Sequence, residues 1–373
     1  MISGQLPLDR CRARSAGLSS CPPAQSVNRS SSETSGPEES SVAHPGPHPN
    51  TTLPNLLLAI EEPELYQHPN RQRHLSKILL QLASGSTPGV AEKTQIIYAT
   101  HSPLFVGLDR FNQIRLLRKR DNGEGKPGIT TVVSASLDKV AHRLWIADGA
   151  GGERYTGKTL APRLHAVMTP WINEGFFAHT VVLVEGEDDY TAIVGIARAM
   201  SKDLESIGVS IIPVGGKRSM DRPAVIFKEF GIPVYLLWDS DGGRGETAGV
   251  CADCGRNLDA KPDPADNHRL LRIVGENQED WPDLQQPNYC CFRTDLETTM
   301  REEIGVAAFE ELLADCQREF GIRKRKHAVK NPAIISESIG RAQKEGRTCR
   351  TLEGVVWSVL KLAGSAARGA TVQ

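Results

Sequence analysis

Acidic residues follow two hydrophobic segments in the second half of the chain. Glu185 and Asp189 come just after the run TVVLV at 180–184, and Asp239 and Asp241 come just after PVYLLW at 233–238. Strands that end in acids present them at one edge of a parallel sheet, and the D-x-D spacing sends two carboxylates to one side of a loop. Clustered carboxylate oxygens without His or Cys suit Mg²⁺ or Mn²⁺. The pattern therefore predicts a site for two divalent cations.

Two cations so held can cleave a phosphodiester bond. In-line attack by water builds charge on the entering and leaving oxygens, and a pair of cations stabilises both. A plainer interpretation is that acids at the start of a helix only interact with the helix dipole. That interpretation explains Glu187 and partly Asp188, but not Glu185, Asp239 and Asp241.

A second set of polar residues lies nearer the amino terminus. The string EEPELYQHP at 61–69 follows the apolar run at 56–60, and THSP at 100–103 follows the run at 95–99. Glu61 and Glu62 could hold Mg²⁺ and polarise a water molecule, with His101 beside them at the neighbouring strand end. The alternative is that all three are ordinary polar residues of loops.

Apolar patterning predicts the elements that position these residues. Strands at 56–60 and 95–99 around a helix at 63–83 form a parallel unit in which the first strand is buried. Residues 114–118 and 130–134 form a hairpin around the turn at 121–123. A second parallel run has strands at 180–184, 209–213 and 233–238 with a helix at 188–201, and helices follow at 296–303, 307–320 and 333–345.

The fold class is therefore α/β, and five segments are predicted. Residues 1–53 are rich in Ser, Pro, Gly and Asn and are expected to be disordered. Residues 54–135 form the first parallel sheet, 136–178 a connector, 179–300 a Rossmann-like second domain, and 301–373 a helical region.

The first set of motifs resembles the Walker B and switch-histidine motifs of ABC-type ATPases. The resemblance implies that Glu61 assists the metal, Glu62 is the catalytic carboxylate and His101 contacts the γ-phosphate. We expect no phosphate loop, G-x-x-x-x-G-K-[ST], anywhere in the chain, and nothing before residue 56 resembles the ABC signature loop that would complete the nucleotide site. The chain is expected to be a poor ATPase, and residues 1–53 are hypothesised to replace a lost amino-terminal lobe.

The second set resembles the Toprim domain, and the order of ATPase and Toprim resembles the OLD-family (overcoming lysogenization defect) endonucleases. This resemblance covers about residues 55–345. It implies that Glu185 and Asp189 bind one metal and Asp239 and Asp241 the second. Asp295 and Glu297 are implied as further ligands, and Lys330 as a lysine that neutralises transition-state charge.

The expected function is that of a Mg²⁺- or Mn²⁺-dependent DNA endonuclease or nickase, serving phage defence or DNA processing and forming a homodimer. Two alternatives remain open. The chain could be a non-catalytic remnant that binds DNA or dimerises, or a primase-like Toprim protein. The primase would need a zinc module and a basic polymerase lobe, which the sequence does not show.

Bulk properties limit the remaining possibilities. The net charge of -1 excludes a strongly basic nucleic-acid binder, so DNA affinity must come from local patches or bound cations. The sequence has no membrane-spanning segment, and its eight scattered cysteines predict reduced thiols in the cytoplasm.

Cys251 and Cys254 could bind zinc, with His268 and Cys290 or Cys291 as partners, but ordinary thiols are the simpler explanation. The basic run at 323–327 and Gly-Gly-Lys-Arg at 215–218 could contact phosphate.

Overall fold

The computed structural model describes residues 55–85, 93–120, 126–164, 170–242 and 264–367. All of them belong to one unit that runs from Leu53 to Gln373. Three predictions fall outside the described residues: the disorder of residues 1–53, the turn at 121–123, and the zinc site at Cys251 and Cys254.

The first parallel unit is present. Strand β1 (Leu56–Glu61) pairs with β2 (Thr94–Ala99) in parallel, and helix α1 (Pro69–Ala83) connects them. The predicted helix start at residue 63 is wrong, because the chain makes two tight turns there and Tyr66 has a positive φ of 59°. The prediction of a buried strand is also wrong. Leu57 is 62% exposed and Ile97 63% exposed, because this sheet has only two strands.

The predicted hairpin is also present. Strands β3 (Leu116–Arg120) and β4 (Ile129–Val133) pair in antiparallel fashion, with Leu116 opposite Val133. Leu117 and Val132 are exposed on one face, and Leu116 and Val133 pack against the main core. This alternation is expected of an antiparallel pair with one covered face.

The main sheet has five strands in the order β6-β5-β7-β9-β8. Strands β5 (Thr180–Val184), β6 (Val209–Pro213), β7 (Val234–Asp239) and β9 (Tyr289–Phe292) run parallel, and β8 (Leu284–Gln286) is antiparallel to β9. The carboxyl ends of the four parallel strands therefore lie at one edge, followed by residues 185, 214–217, 239 and 293–295.

Helices cover both faces of this sheet. Successive β5 residues alternate between two cores, with Val181 and Leu183 on one face and Val182 and Val184 on the other. The first face is covered by α2 (Leu137–Ala147), α3 (Gly157–Leu164), α4 (Pro170–Glu174), α6 (Asp221–Glu229) and α7 (Ala265–Val274). The second is covered by α5 (Glu187–Ala199), α8 (Leu296–Ile304), α9 (Val306–Glu319), α10 (Arg325–Ala328), α11 (Pro332–Lys344) and α12 (Arg350–Ala367). Burial on both faces explains why β5 and β7 are continuously apolar.

The segments before and after the sheet are integral to its core. Leu144 of α2 and Leu160 of α3, which lie within the predicted connector, are buried against the first face of the sheet. Val355 and Val359 of α12 are fully buried against the second face. In the described residues, no helix is long and apolar enough to cross a membrane.

Candidate active site

Glu185 lies at the end of β5 and is tied to two neighbouring strand ends. Its Oε1 accepts a hydrogen bond of 2.8 Å from the backbone N–H of Asp239, and its Oε2 accepts one of 3.3 Å from the backbone N–H of Lys217. Burial raises the pKa of the Glu185 carboxyl, while these two N–H groups and the Lys217 ammonium lower it and nearby Asp241 raises it further. The carboxylate is thus fixed in orientation between β6 and β7.

Asp189 is buried and Asp239 is partly buried close to Glu185. Asp189, in the first turn of α5, accepts the Gly186 N–H at 2.9 Å, and Asp239, at the end of β7, accepts the Leu296 N–H at 3.0 Å. Burial raises the pKa of Asp189 to about 6, with further contributions from Glu185 and Asp188. Burial, Asp189 and Glu185 together raise the pKa of Asp239 to about 8. The charges of Glu185 and Asp189 therefore oppose ionisation of Asp239.

Asp241 lies in a tightly held loop after β7, with a positive φ of 62°. Its backbone N–H donates to Thr294 O, and the N–H groups of Ser240 and Gly242 donate to Phe292 O and Arg293 O. Its carboxylate accepts a 2.8 Å hydrogen bond from the Lys217 ammonium. Backbone contacts to the segment after β9 therefore set the unusual conformation of Asp241.

Lys217 follows two glycines at the end of β6. Gly215 and Gly216 have φ of 80° and 116°, a region that only glycine adopts readily, and both N–H groups donate to Glu185 O. The turn carries the Lys217 side chain beneath the Asp239–Asp241 loop, where only 9% of it is exposed. Sequence reasoning proposed Lys217 as a phosphate contact and did not place it beside the acids.

Asn267 of α7 also holds this loop and was not predicted. Its Nδ2 donates to Ser240 O at 2.9 Å and to Asp280 O at 2.7 Å, and its Oδ1 accepts from Lys217 at 3.2 Å. The residue is fully buried. A polar residue four positions before a buried leucine, Leu271, on the same helix is the sequence signal that could have indicated it.

The three further residues implied by the resemblance make separate contacts. Asp295 caps α8 by accepting the Thr298 N–H at 2.7 Å, and its charge contributes to the raised pKa of Asp239. Glu297 forms an ion pair of 2.6 Å with Arg325, and Lys330 forms one of 2.7 Å with Asp188. Asp295 is therefore near the acids, whereas the side chains of Glu297 and Lys330 are engaged with other partners.

The donor set fits a hard divalent cation. Among the residues that the structure describes, no group of three or more His, Cys, Asp or Glu side chains is already arranged to hold a metal. Glu185 nevertheless raises the pKa of both Asp189 and Asp239, and Asp189 raises that of Asp239, so a bound cation would relieve repulsion among these carboxylates. Their oxygen chemistry matches Mg²⁺ or Mn²⁺.

The amino-terminal polar residues also come together. His101 Nε2 lies 3.6 Å from Glu62 Oε1, and the His101 side chain is 83% exposed. Glu64 links the two strand ends, because it accepts hydrogen bonds from Thr100 Oγ1 at 2.8 Å and from the His101 N–H at 2.6 Å. Burial raises the pKa of Glu64, but these hydrogen bonds outweigh it and the net pKa is lowered. Sequence reasoning gave Glu64 no role.

The expectation about the phosphate loop needs a correction. Residues 152–159, GERYTGKT, match G-x-x-x-x-G-K-[ST]. A phosphate loop joins a strand to a helix, whereas this segment joins helix α2 to helix α3. Moreover, the Gly157 N–H at the start of α3 donates to the Asp138 carboxylate at 2.7 Å, so an acid already occupies the position of a phosphate. The match is one of sequence and not of structure.

Two other polar features have structural partners. Arg325, in the basic run at 323–327, donates to both carboxylate oxygens of Glu310 at 2.8 and 2.7 Å. His268 contacts Asp280 at 2.8 Å, and Cys290 and Cys291 are buried in β9. Arg325 therefore stabilises α9 and α10, and the other residues of the run are left as candidates for a phosphate contact.

The fold and the acids together define a class, the Toprim domain. Residues 176–241 match the overcoming lysogenization defect protein-like TOPRIM domain, and residues 48–106 match an AAA ATPase domain. The first match contains Glu185, Asp189, Asp239 and Asp241, and the second contains Glu61, Glu62 and His101. These matches confirm the resemblance to the OLD family.

Named relatives agree with these matches. The chain is 30% identical over 183 residues to the OLD nuclease of Thermus scotoductus, covering 49% of this chain and 30% of the relative. It is 24% identical over 190 residues to the Old nuclease of Escherichia phage P2, covering 50% of this chain and 28% of the relative. The chain thus spans less than a third of the length of these relatives.

Solved structures give a weaker likeness. The C-terminal region of the Burkholderia pseudomallei OLD protein is 18% identical, with 51% of this chain and 99% of that chain covered, at a TM-score of 0.30. The C-terminal region of the Xanthomonas campestris pv. campestris OLD protein is 18% identical, with 53% and 96% covered, at a TM-score of 0.28. Scores this low carry no argument, and the assignment depends on the sequence matches.

Proposed function

We propose that this chain hydrolyses phosphodiester bonds in DNA as a divalent-cation-dependent endonuclease or nickase. One observation carries the proposal: the Glu185 carboxylate, just after β5, accepts the backbone N–H of Asp239 at the end of the adjacent parallel strand β7 at 2.8 Å, with the buried Asp189 carboxylate near enough that its charge raises the pKa of Asp239. The segment that contains them is the one that matches the OLD-like Toprim domain. The named nuclease relatives support the same reaction class.

The proposed centre would bind Mg²⁺ or Mn²⁺ through Glu185, Asp189, Asp239 and Asp241, with Asp295 as a further ligand. When bound, such ions stabilise charge on the attacking and leaving oxygens of the phosphodiester. The protein itself orients the carboxylates that would bind the ions. The Asp239 N–H fixes one Glu185 oxygen, and the Leu296 N–H fixes one oxygen of Asp239.

Lys330 is the proposed partner of the scissile phosphate. Its side chain is about half exposed and pairs with Asp188, one residue from Asp189. Its backbone carbonyl accepts a hydrogen bond from Thr191 Oγ1 at 3.3 Å, which ties this segment to α5. A phosphate near the acids could therefore draw Lys330 away from Asp188 without a change in the backbone. Glu297 contributes indirectly, through its ion pair with Arg325.

Plasmid nicking tests the proposal. Supercoiled DNA is incubated with the full chain and Mg²⁺ or Mn²⁺, and conversion to open circles is compared with Asp239→Asn and Asp239→Ala. Both variants should lose activity by roughly a hundredfold or more, since they remove a group that acts on the transition state. Asp203→Asn, which alters an exposed acid in the loop after α5, serves as the matched control. Equal nicking by Asp239→Ala and the parent would rule out the proposed site, and no nicking by the parent would favour the alternative of a non-catalytic DNA-binding or dimerising module.

We propose that this chain binds ATP weakly or not at all. Glu61, Glu62 and His101 would form one side of a nucleotide site, but residues 152–159, which match the phosphate-loop pattern, join helix α2 to helix α3 and lack the strand that precedes a phosphate loop. The expected result is that ATP with Mg²⁺ leaves the melting temperature of the chain unchanged relative to Mg²⁺ alone. A clear upward shift that Glu62→Gln abolishes would contradict this expectation. The homodimer and the cytoplasmic location also remain proposals.

A further inference from the structure

The Lys217 ammonium is surrounded by oxygen atoms in the way that a bound cation would be. It donates to Asp239 O at 2.7 Å, to Asp241 Oδ2 at 2.8 Å and to Asn267 Oδ1 at 3.2 Å. An ammonium has three N–H groups, and these three oxygens satisfy all of them. A carbonyl, a carboxylate and an amide oxygen are also ligands that hard divalent cations take in proteins.

We propose that Lys217 is an internal placeholder cation, which occupies the carboxylate centre without metal and is displaced from Asp241 when a divalent ion binds. This inference rests on the proposed function of the same site. Because the ammonium and a divalent ion share the Asp241 carboxylate, they compete, and Lys217 sets how much free metal the centre requires.

Burial and backbone contacts favour competition over a purely supporting role. The side chain of Lys217 is 9% exposed and that of Asp241 is 19% exposed, so water screens their interaction poorly. Other contacts also hold the Asp239–Asp241 loop. The backbone N–H groups of residues 240–242 donate hydrogen bonds to the carbonyl groups of residues 292–294, at the end of β9. Asn267 Nδ2 donates to Ser240 O. Loss of the ammonium should therefore leave the ligands in place and remove a positive charge beside them.

Calorimetric titration of the full chain with MnCl₂ distinguishes the two roles. For Lys217→Met, competition predicts an apparent Kd for Mn²⁺ that is roughly tenfold lower or more, since a nearby like charge has been removed. A supporting role predicts weaker binding by this variant. Lys228→Met is the matched control, because Lys228 is partly buried but bonds the backbone carbonyl of Ile273 near the carboxyl end of α7, away from Asn267. Its Kd should equal that of the parent chain.

The outcomes separate this inference from the proposed function. Mn²⁺ binding by the parent chain with equal or weaker binding by Lys217→Met overturns the placeholder and leaves the metal-dependent nuclease standing. No binding by either chain overturns both. Lys217→Gln, which keeps a polar group without charge, should also bind Mn²⁺ more tightly, and it replaces the Met variant if circular dichroism shows that variant to be unfolded.

Chemical labelling tests displacement in the unmodified chain. Acetic anhydride acetylates accessible amines, and mass spectrometry of peptides measures the extent at each lysine. Lys217 should be acetylated several times faster with saturating Mg²⁺ than with EDTA, because a side chain that is no longer hydrogen-bonded to Asp241 is more accessible to the reagent. Lys228 should not change. Equal labelling of Lys217 in the two conditions would show that the ammonium stays in place, and would overturn the proposal.

Discussion

Asp239 is a carboxylic acid in surroundings that oppose its ionisation. Burial, Asp189 and Glu185 raise its pKa to about 8, and the Leu296 N–H lowers it by less. Without metal, Asp239 thus binds a proton in the folded chain over a pH range in which the unfolded chain has released it. A divalent ion has the opposite effect, because it favours the carboxylate.

The stability of the metal-free chain should therefore fall as pH rises from 6 to 8. The folded carboxyl has the higher pKa, so the folded chain binds more protons and the slope of unfolding free energy against pH is negative. Titration of Asp239 alone gives a loss of up to about 2 kcal/mol over this range. Urea denaturation in EDTA measures it. Asp239→Asn should be nearly flat between pH 6 and 8, and an equally flat parent chain would contradict the assigned environment.

The residues of the site differ in how far the sequence could predict them. Glu185, Asp189, Asp239 and Asp241 are predictable because a strand end is a local feature and parallel strands end at one edge. Lys217 and Asn267 come from a different strand end and a distant helix, and only the tertiary fold brings them beneath the loop. Asp295 was expected as a ligand, yet its observed contact is a helix cap, since one Asp can serve either purpose.

At the scale of elements, the strands and helices of the main sheet follow from apolar patterning. The predicted strands at 180–184 and 209–213 match β5 and β6, because four consecutive Val and Leu residues in the first and Val209, Ile211 and Ile212 in the second favour strands that are buried on both faces. Helix α12 lies within the predicted helical region at 301–373, although its bounds were not predicted, and patterning missed β8 and β9. Strands of three and four residues are too short to show a period, and the buried Cys290 and Cys291 carried no strand signal.

Helix α5, which carries Asp189, is positioned by close packing on α11. A Cβ atom at Gly195 would lie 2.6 Å from Ile335 Cγ2 and 3.3 Å from Pro332 O. Gly195 therefore permits an approach of the two helices that no larger residue allows. The packing matters for the site, since the same face of α5 contacts the segment that holds Lys330.

Gly195→Ala should destabilise the chain despite the better helix propensity of alanine. Overpacking of this kind costs about 1–3 kcal/mol, against a propensity gain of about 1 kcal/mol. Gly340→Ala on α11 is the matched control, because a Cβ atom there meets nothing within 4 Å and the substitution should stabilise by about 0.5–1 kcal/mol. Thermal or urea unfolding of both variants measures the difference. A stabilising Gly195→Ala would show that the two helices are not closely packed.

At the scale of the whole molecule, charge argues against binding of DNA by the protein surface alone. Lys and Arg total 44 and Asp and Glu total 45, so the net charge is -1. The strongest basic run lies at 323–327, where Arg325 is neutralised by Glu310 and Glu297. The proposed centre is itself negative and would repel a phosphate backbone unless cations were bound.

DNA binding should therefore depend on divalent cations, including ions that do not support cleavage. Electrophoretic mobility shifts with a labelled duplex should show roughly tenfold tighter binding or more in Ca²⁺ than in EDTA, because the cations convert a repulsive centre into an attractive one. At pH 9, above the pKa of about 8 of Asp239, the double variant Asp239→Asn with Asp241→Asn removes negative charge from the centre, so its binding in EDTA should improve while its response to Ca²⁺ shrinks. Asp203→Asn again serves as the control. Tight binding in EDTA by the parent chain would mean that a basic surface, and not the carboxylate centre, holds the DNA.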